Sequence, residues 1–187
     1  HPAHGDVSIP VIAVGSVEEC FVAGAMSLNY AERYQGPVIL LSDHGLSEQA
    51  ANIVMPSLDD LPVENRDIYR GQNGYERYSG DGVSPMPIPG GSGAYIANGS
   101  EHDPLGDTTH LPIRHIEMTQ RRFNKLKVFD DGPYESENTD HSIVVMTWGG
   151  SKGPTREAYD LMMSQGLGIG WYYTMQINPL PVKLLEE

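Results

Sequence analysis

Glu101-His102-Asp103 sets a carboxylate, an imidazole and a second carboxylate side by side in a Gly-flanked loop, with His110 and His115 shortly downstream. Such side chains ligate divalent metals or exchange protons near neutral pH. Three consecutive loop residues do not easily converge on one ion, however, and no HExxH-type helical spacing accompanies them. A loop ordered by a partner polypeptide suits this stretch better. Asp43-His44 is a second acid–imidazole pair, placed after an apolar run. Cys20 falls on what reads as an apolar helical stripe, where a free thiol packs rather than reacts. Trp148-Gly149-Gly150-Ser151-Lys152-Gly153 could present backbone amides to a phosphate, yet it lacks P-loop spacing. A tight strand-to-helix connection accounts for it better.

Gly80-Asp81-Gly82 opens like a magnesium- and diphosphate-binding signature, which needs a downstream Asn pair. Asn98 stands alone and the stretch from Pro104 to Thr109 has no Asn, so an ordinary glycine turn is the expectation. With 12 Lys and Arg against 25 Asp and Glu, the net charge is −13, which argues against a nucleic-acid partner. No apolar run approaches the length of a membrane span. His1-Pro2-Ala3-His4 shows no secretory signal, and the missing initiator Met points to part of a longer product. A single cysteine cannot by itself make an internal disulfide, a cysteine zinc site or an iron–sulfur cluster, so a reducing, cytoplasmic location is expected.

These groups must be held by elements that the hydrophobic pattern outlines. Ser8 to Val14 reads as a buried strand, and Ser16 with Glu19 three residues on forms a capping box that starts a helix at Val17. Val17, Cys20, Phe21, Gly24, Leu28 and Ala31 make its apolar stripe, and Gly36-Pro37 stops it before a second buried strand, Val38 to Leu41. This βαβ grammar predicts a parallel sheet covered on both faces, with Asp43 and His44 at a strand's carboxyl end. From His44 to His110, prolines and glycines break every period, which predicts a long arm packed on a partner chain or neighbouring domain. Pro112 starts a helix with Ile113, Ile116, Phe123 and Leu126 on one face, and Arg121, Arg122, Lys125 and Lys127 near its C-terminal end. Asp130 to Asp140 reads as a charged linker. Ser142 to Trp148 is strand-like, Pro154 to Gln165 is a helix capped by Gly166, Leu167 to Met175 is another strand, and Val182 to Leu185 begins a helix.

Gly15-Ser16-Val17-Glu18-Glu19-Cys20-Phe21, Ala31-Glu32-Arg33-Tyr34, Pro37-Val38-Ile39-Leu40-Leu41-Ser42-Asp43, Gly82-Val83-Ser84-Pro85 with Ile88-Pro89-Gly90, and Glu101-His102-Asp103 occur in an order that resembles the alpha subunit of 2-oxoacid:ferredoxin oxidoreductases, especially the 2-oxoglutarate branch. Arg121 to Leu126 looks like that family's helix before its linker. The resemblance implies an α/β fold: residues 1–130 as the C-terminal half of a thiamine-diphosphate-type pyrimidine-binding domain including the 44–110 arm, 131–140 as linker, and 141–187 as the start of a transketolase C-terminal-like domain. It further implies oxidative decarboxylation of a 2-oxoacid to an acyl-CoA, with electrons passed to ferredoxin. Thiamine diphosphate, magnesium and an iron–sulfur cluster would serve the whole complex, and none would be bound by this chain alone. The implied partners are a beta subunit and the upstream half of the alpha subunit, which carries the family's catalytic Glu and substrate motifs. No catalytic or metal residue is transferred; Asp43, His44, Glu101, His102 and Asp103 remain as loop residues next to a partner or active site. The alternative is a non-catalytic α/β assembly module on the same scaffold.

Overall fold

A computed structural model describes residues 5–129 and 132–181. His1 to His4, the linker residues Asp130 and Asp131, and the helix expected at Val182 to Leu185 lie outside the described residues. The fold is mixed α/β with two three-stranded sheets. The described residues divide into two compact units that do not follow chain order: one is built from the segments ending at Ile9, Pro37 and Val128, and the other from Pro10–Leu28, Val38–Val63 and the segment from Phe129 onward.

The sheets belong to the second unit. β1 (Val11–Ala13) is flanked by β2 (Ile39–Leu41), parallel to it with Val11 opposite Ile39, and by β6 (Gln176–Asn178), antiparallel with Val11 opposite Asn178. In the other sheet β5 (Gly170–Thr174) is central, between a parallel β4 (Val144–Trp148) and an antiparallel β3 (Tyr134–Glu137). The parallel β1–β2 pair is the expected one. Each sheet also carries an antiparallel edge strand, a common feature of mixed sheets, and β3 occupies part of the stretch read as linker. Val11–Ala13 and β5 are wholly buried, Trp171 and Tyr173 being 1% exposed.

The expected burial of β2 is corrected. Leu40 and Leu41 are exposed, as are Val144, Met146 and Trp148 on alternate positions of β4. Both strands lie at sheet edges, so one side has no neighbouring strand among the described residues. An apolar run therefore signalled strand formation without signalling coverage.

α1 spans Val17–Tyr34 as expected, but its buried face is different. Ala23, Tyr30 and Tyr34 are buried, while Leu28 and Cys20 are exposed. Large aromatic side chains with more area to bury take the inner positions, which turns Cys20 outward with its thiol on the Ser16 carbonyl. At its C-terminal end the left-handed residue is Gln35, with φ 53°, and not Gly36. α4 (Lys152–Ser164) ends as expected at Gly166, whose φ is 76°. The amides of Gly166 and Leu167 donate to the carbonyls of Met163 and Met162, which satisfies the last turn.

The start of α1 shows how the second unit is tied together. The Glu19 amide donates to Ser16 Oγ at 3.3 Å, half of the capping box. The Glu19 carboxylate does not return to Ser16. Its Oε2 accepts from the Gly15 amide at 2.8 Å and from the Tyr173 hydroxyl of β5 at 2.5 Å, and its Oε1 accepts from Lys152 of α4 at 2.5 Å. Lys152 also reaches Glu135 of β3 at 2.6 Å. One carboxylate thus gathers α1, α4 and β5, and its lysine partner adds β3. Burial, then the bond to Glu19, pushes the Tyr173 phenol far above its ordinary range, so it stays a donor.

This convergence leaves no room at Gly15. A Cβ there would stand 2.6 Å from the Gly149 carbonyl oxygen, 2.6 Å from the Tyr173 hydroxyl and 2.8 Å from Lys152 Cβ. Because a backbone atom is among the three, relief requires moving the turn itself. Gly15→Ala is expected to cost about 1–3 kcal/mol, measured by denaturant unfolding, whereas Gly153→Ala, which meets nothing within 4 Å, stays within about 0.5 kcal/mol.

Candidate functional site

The five loop residues singled out from sequence fall into different local roles. Asp43 caps the short helix α2 (His44–Glu48): its Oδ1 accepts from the Leu46 amide at 2.8 Å, and the preference for Asp before a helix explains the choice. Its other oxygen packs onto Gly150, where a Cβ would sit 1.6 Å from Oδ2. His44 is exposed. Asp43 and His44 belong to the second unit and Glu101 to Asp103 to the first.

Glu101, His102 and Asp103 do three separate jobs. Glu101 accepts a forked pair from Arg122 Nη1 and Nη2 at 2.9 and 3.1 Å and a bond with His115 Nδ1 at 2.8 Å. Burial would raise its pKa, but the bonds from Arg122 and His115 outweigh burial and hold the carboxyl below its ordinary range. His102 is buried, 5.3 Å from the Tyr78 ring centre, and its Nε2 has no hydrogen-bond partner among the described residues. Asp103 Oδ1 accepts from the amides of Gly106 and Asp107 at 3.0 and 3.1 Å, closing the turn that pairs His102 with Thr108. Adjacent residues in the chain point apart, as a loop backbone dictates. Among the described residues no group of three His, Cys, Asp or Glu side chains is placed to hold a metal ion.

The glycine motifs serve the backbone. Gly149–Ser151 is a 3-10 turn running straight into α4, with Gly149 at φ 57°. Lys152, which a phosphate-binding loop would need free, is held by Glu19 and Glu135. Burial would lower its pKa, but hydrogen bonds to those two carboxylates raise it. Gly80 turns the chain at φ 71°, and Asp81 is exposed.

The concentration of charge that sequence reasoning missed lies in the first unit. α3 (Pro112–Asn124) begins with the expected proline, but Ile113, Ile116 and Phe123 are exposed while Met118 and Arg121 are buried. The basic residues at its end do more than complement the helix dipole. Arg121 Nη2 and Arg77 Nη1 both donate to Ser84 Oγ, at 2.8 and 3.3 Å. Both guanidinium groups lie over the Tyr78 ring, at 5.4 and 5.2 Å. Arg77 Nη2 donates to Gln35 Oε1 at 3.0 Å, Gln35 Nε2 donates to the Ser84 carbonyl at 2.7 Å, and Lys125 Nζ donates to the Gln35 carbonyl at 3.3 Å. These bonds fix Gln35 in a conformation that costs a non-glycine residue about 1–2 kcal/mol.

No carboxylate pairs with Arg77, Arg121 or Lys125 among the described residues. Burial and then the Arg77 charge bring Arg121 down to about 10, and burial followed by Arg121, Arg77 and Arg122 brings Lys125 down to about 8. No spacing in the sequence announces this group, because its members are spread over some ninety positions and only the folded arm collects them.

Residues 3–121 match the family described as "Pyruvate flavodoxin/ferredoxin oxidoreductase, thiamine diP-bdg", and the chain belongs to that family. It is 30% identical to 2-oxoacid:ferredoxin oxidoreductase 2, subunit alpha, of Aeropyrum pernix, over 98% of this chain and 30% of that protein. It is 27% identical to 2-oxoglutarate synthase subunit KorA of Methanocaldococcus jannaschii, over 99% of this chain and 51% of that one. The fold matches the 2-oxoglutarate:ferredoxin oxidoreductase of Magnetococcus marinus, solved with 2-oxoglutarate, coenzyme A and succinyl-CoA bound. That match has a TM-score of 0.90 and 35% identity, and covers all of this chain and 34% of that one. The chain thus spans between about a third and a half of these relatives.

Lys125 gives this unit a measurable pH dependence. Its folded pKa lies near 8 against an ordinary 10.5, so between these values the unfolded chain binds more protons and stability rises with pH. Lys125→Met is expected to raise the thermal midpoint at pH 7, with the gain shrinking as pH climbs from 8 toward 10.5; scanning calorimetry of both proteins across that range measures it.

Proposed function

We propose that this chain is part of the alpha subunit of a 2-oxoacid:ferredoxin oxidoreductase, with 2-oxoglutarate as the substrate and an acyl-CoA as the product. The observation that carries the reading is the conjunction of a family match over residues 3–121 with a structural match over all of this chain, at 35% identity, to part of a 2-oxoglutarate enzyme. The relatives' names supply the remaining vocabulary: subunits, ferredoxin and a 2-oxoacid.

In this reading the chain contributes position and the chemistry is supplied elsewhere. Thiamine diphosphate provides the carbanion-stabilising centre when bound to the assembly. Its magnesium, the diphosphate contacts and an iron–sulfur cluster come from other polypeptide, the beta subunit first, a reading supported by the single cysteine and by the missing Asn pair after Gly80-Asp81-Gly82. The upstream part of the alpha subunit supplies the catalytic carboxylate and the substrate-reading segments. Asp43, His44, Glu101, His102 and Asp103 lie in segments beside the partner or the active site, where Asp43 and Asp103 order backbone and Glu101 holds Arg122 and His115. Residues 1–130 act as part of the pyrimidine-binding domain, and 141–187 open a transketolase C-terminal-like domain. Among the described residues no helix is long and apolar enough to cross a membrane, and a cytoplasmic location follows from the proposed electron acceptor.

The test is reconstitution. Combined with the remaining alpha-subunit polypeptide and a beta subunit, the chain is expected to restore coenzyme-A-dependent reduction of a viologen dye by 2-oxoglutarate, and alone to give none. A stable complex of folded, cofactor-loaded partners that never reduces the dye would replace this reading with the non-catalytic assembly module.

A further inference from the structure

Arg77 and Arg121 are each more than nine-tenths buried, at 8% and 7% exposure. Burying a charged guanidinium is tolerated when its N–H groups meet acceptors and its charge meets a counterion. Here the counterion is missing for both among the described residues, and the N–H groups are met only in part, Arg77 bonding through both Nη atoms and Arg121 through one. Arg121 makes a single hydrogen bond, from Nη2 to Ser84 Oγ, and the Nε atoms of both arginines are buried without a partner among the described residues. Ser84 has nothing more to offer, since its hydroxyl already donates to the Arg77 carbonyl. Lys125 adds a third cation, met among the described residues by the Gln35 carbonyl and the Tyr34 ring at 4.2 Å.

Arg121 also lines an open cleft of about 610 Å³ together with Tyr78, Gly80, Asp81, Pro104 and Asn124. The cleft's other arginine, Arg114, is neutralised by Glu117 at 2.6 Å. Asp81 is close enough to favour the charged form of Arg121 but forms no ion pair with it. The acids on the wall, Glu76, Asp81 and Glu117, disfavour large polyanions and leave room for one small group.

We propose that Arg121, backed by Arg77 and Lys125, binds a small oxyanion, a phosphate or carboxylate group, at the floor of the cleft between α3 and the Tyr78–Asp81 turn. With Nη2 on Ser84 and Nε sealed off, Nη1 of Arg121 is the guanidinium nitrogen left to donate to such a group, and the bound charge relieves the repulsion among the three cations. The site is independent of the reaction proposed above and does not require the chain to be part of an active enzyme.

Thermal unfolding of the 187-residue chain in sodium phosphate, sodium acetate and sodium chloride at equal ionic strength tests this. Phosphate, acetate or both are expected to raise the midpoint by about 2–4 °C over chloride, and the larger response identifies which oxyanion geometry fits. Arg121→Gln is expected to abolish the difference, Lys125→Met to reduce it by about half, and Arg114→Gln to leave it intact. Equal midpoints in all three salts would overturn the site. So would an undiminished response in Arg121→Gln or, if that variant does not fold, in Lys125→Met.

Discussion

The Glu19 carboxylate is the constraint on which the sheet-bearing unit depends. A carboxylate has only two oxygens, and here they receive a backbone amide, a phenol and an ammonium from three separate stretches of chain. Low exposure, 13% for Glu19 and 20% for Lys152, makes each bond worth more than on an open surface. It also makes each partner costly to remove, because the others would be left buried and unpaired. The glycines follow from this: Gly15 is required by the closeness of the Gly149 turn, and Gly150 by the Asp43 side chain.

The first unit rests on an opposite arrangement. Its middle gathers like charges over tyrosine rings, and the cohesion comes from hydrogen bonds to neutral acceptors, with Gln35 and Ser84 at the centre. Around that group the irregular arm is held by forked ion pairs, Arg66 with Glu32 and Arg122 with Glu101. A segment with almost no regular structure is thereby ordered by side chains. This explains how a stretch so rich in proline and glycine persists as a definite shape without extended ladders of backbone bonds.

Local grammar was legible in the sequence. The Ser16 cap, the first-turn Pro112, the Gly166 terminus and the parallel pairing of β1 with β2 each depend on a few adjacent residues or on a short period, and each is found. Orientation was not legible. The stripe drawn through Cys20 and Leu28 is less buried than the face formed by Ala23, Tyr30 and Tyr34, because aromatic residues outweigh the count of smaller apolar ones. The outward turn of Ile113 and Ile116, and the burial of Arg121 in their place, depend on Ser84 and Tyr78, which are distant in the chain. The Glu101–Asp103 loop was found by residue type, yet its side chains diverge, and only the backbone geometry of the turn decides that.

The Glu19 junction yields one account of the sheet-bearing unit: its elements are held to shape from a single carboxylate. If the scaffold is organised by that carboxylate, Glu19 and Tyr173 must act as one unit. A double-mutant cycle of Glu19→Gln and Tyr173→Phe, followed by denaturant unfolding, measures this directly. The account predicts a coupling energy of about 1.5–3 kcal/mol, the range for a hydrogen bond to a charged group. Losses that add to within about 0.5 kcal/mol would contradict it.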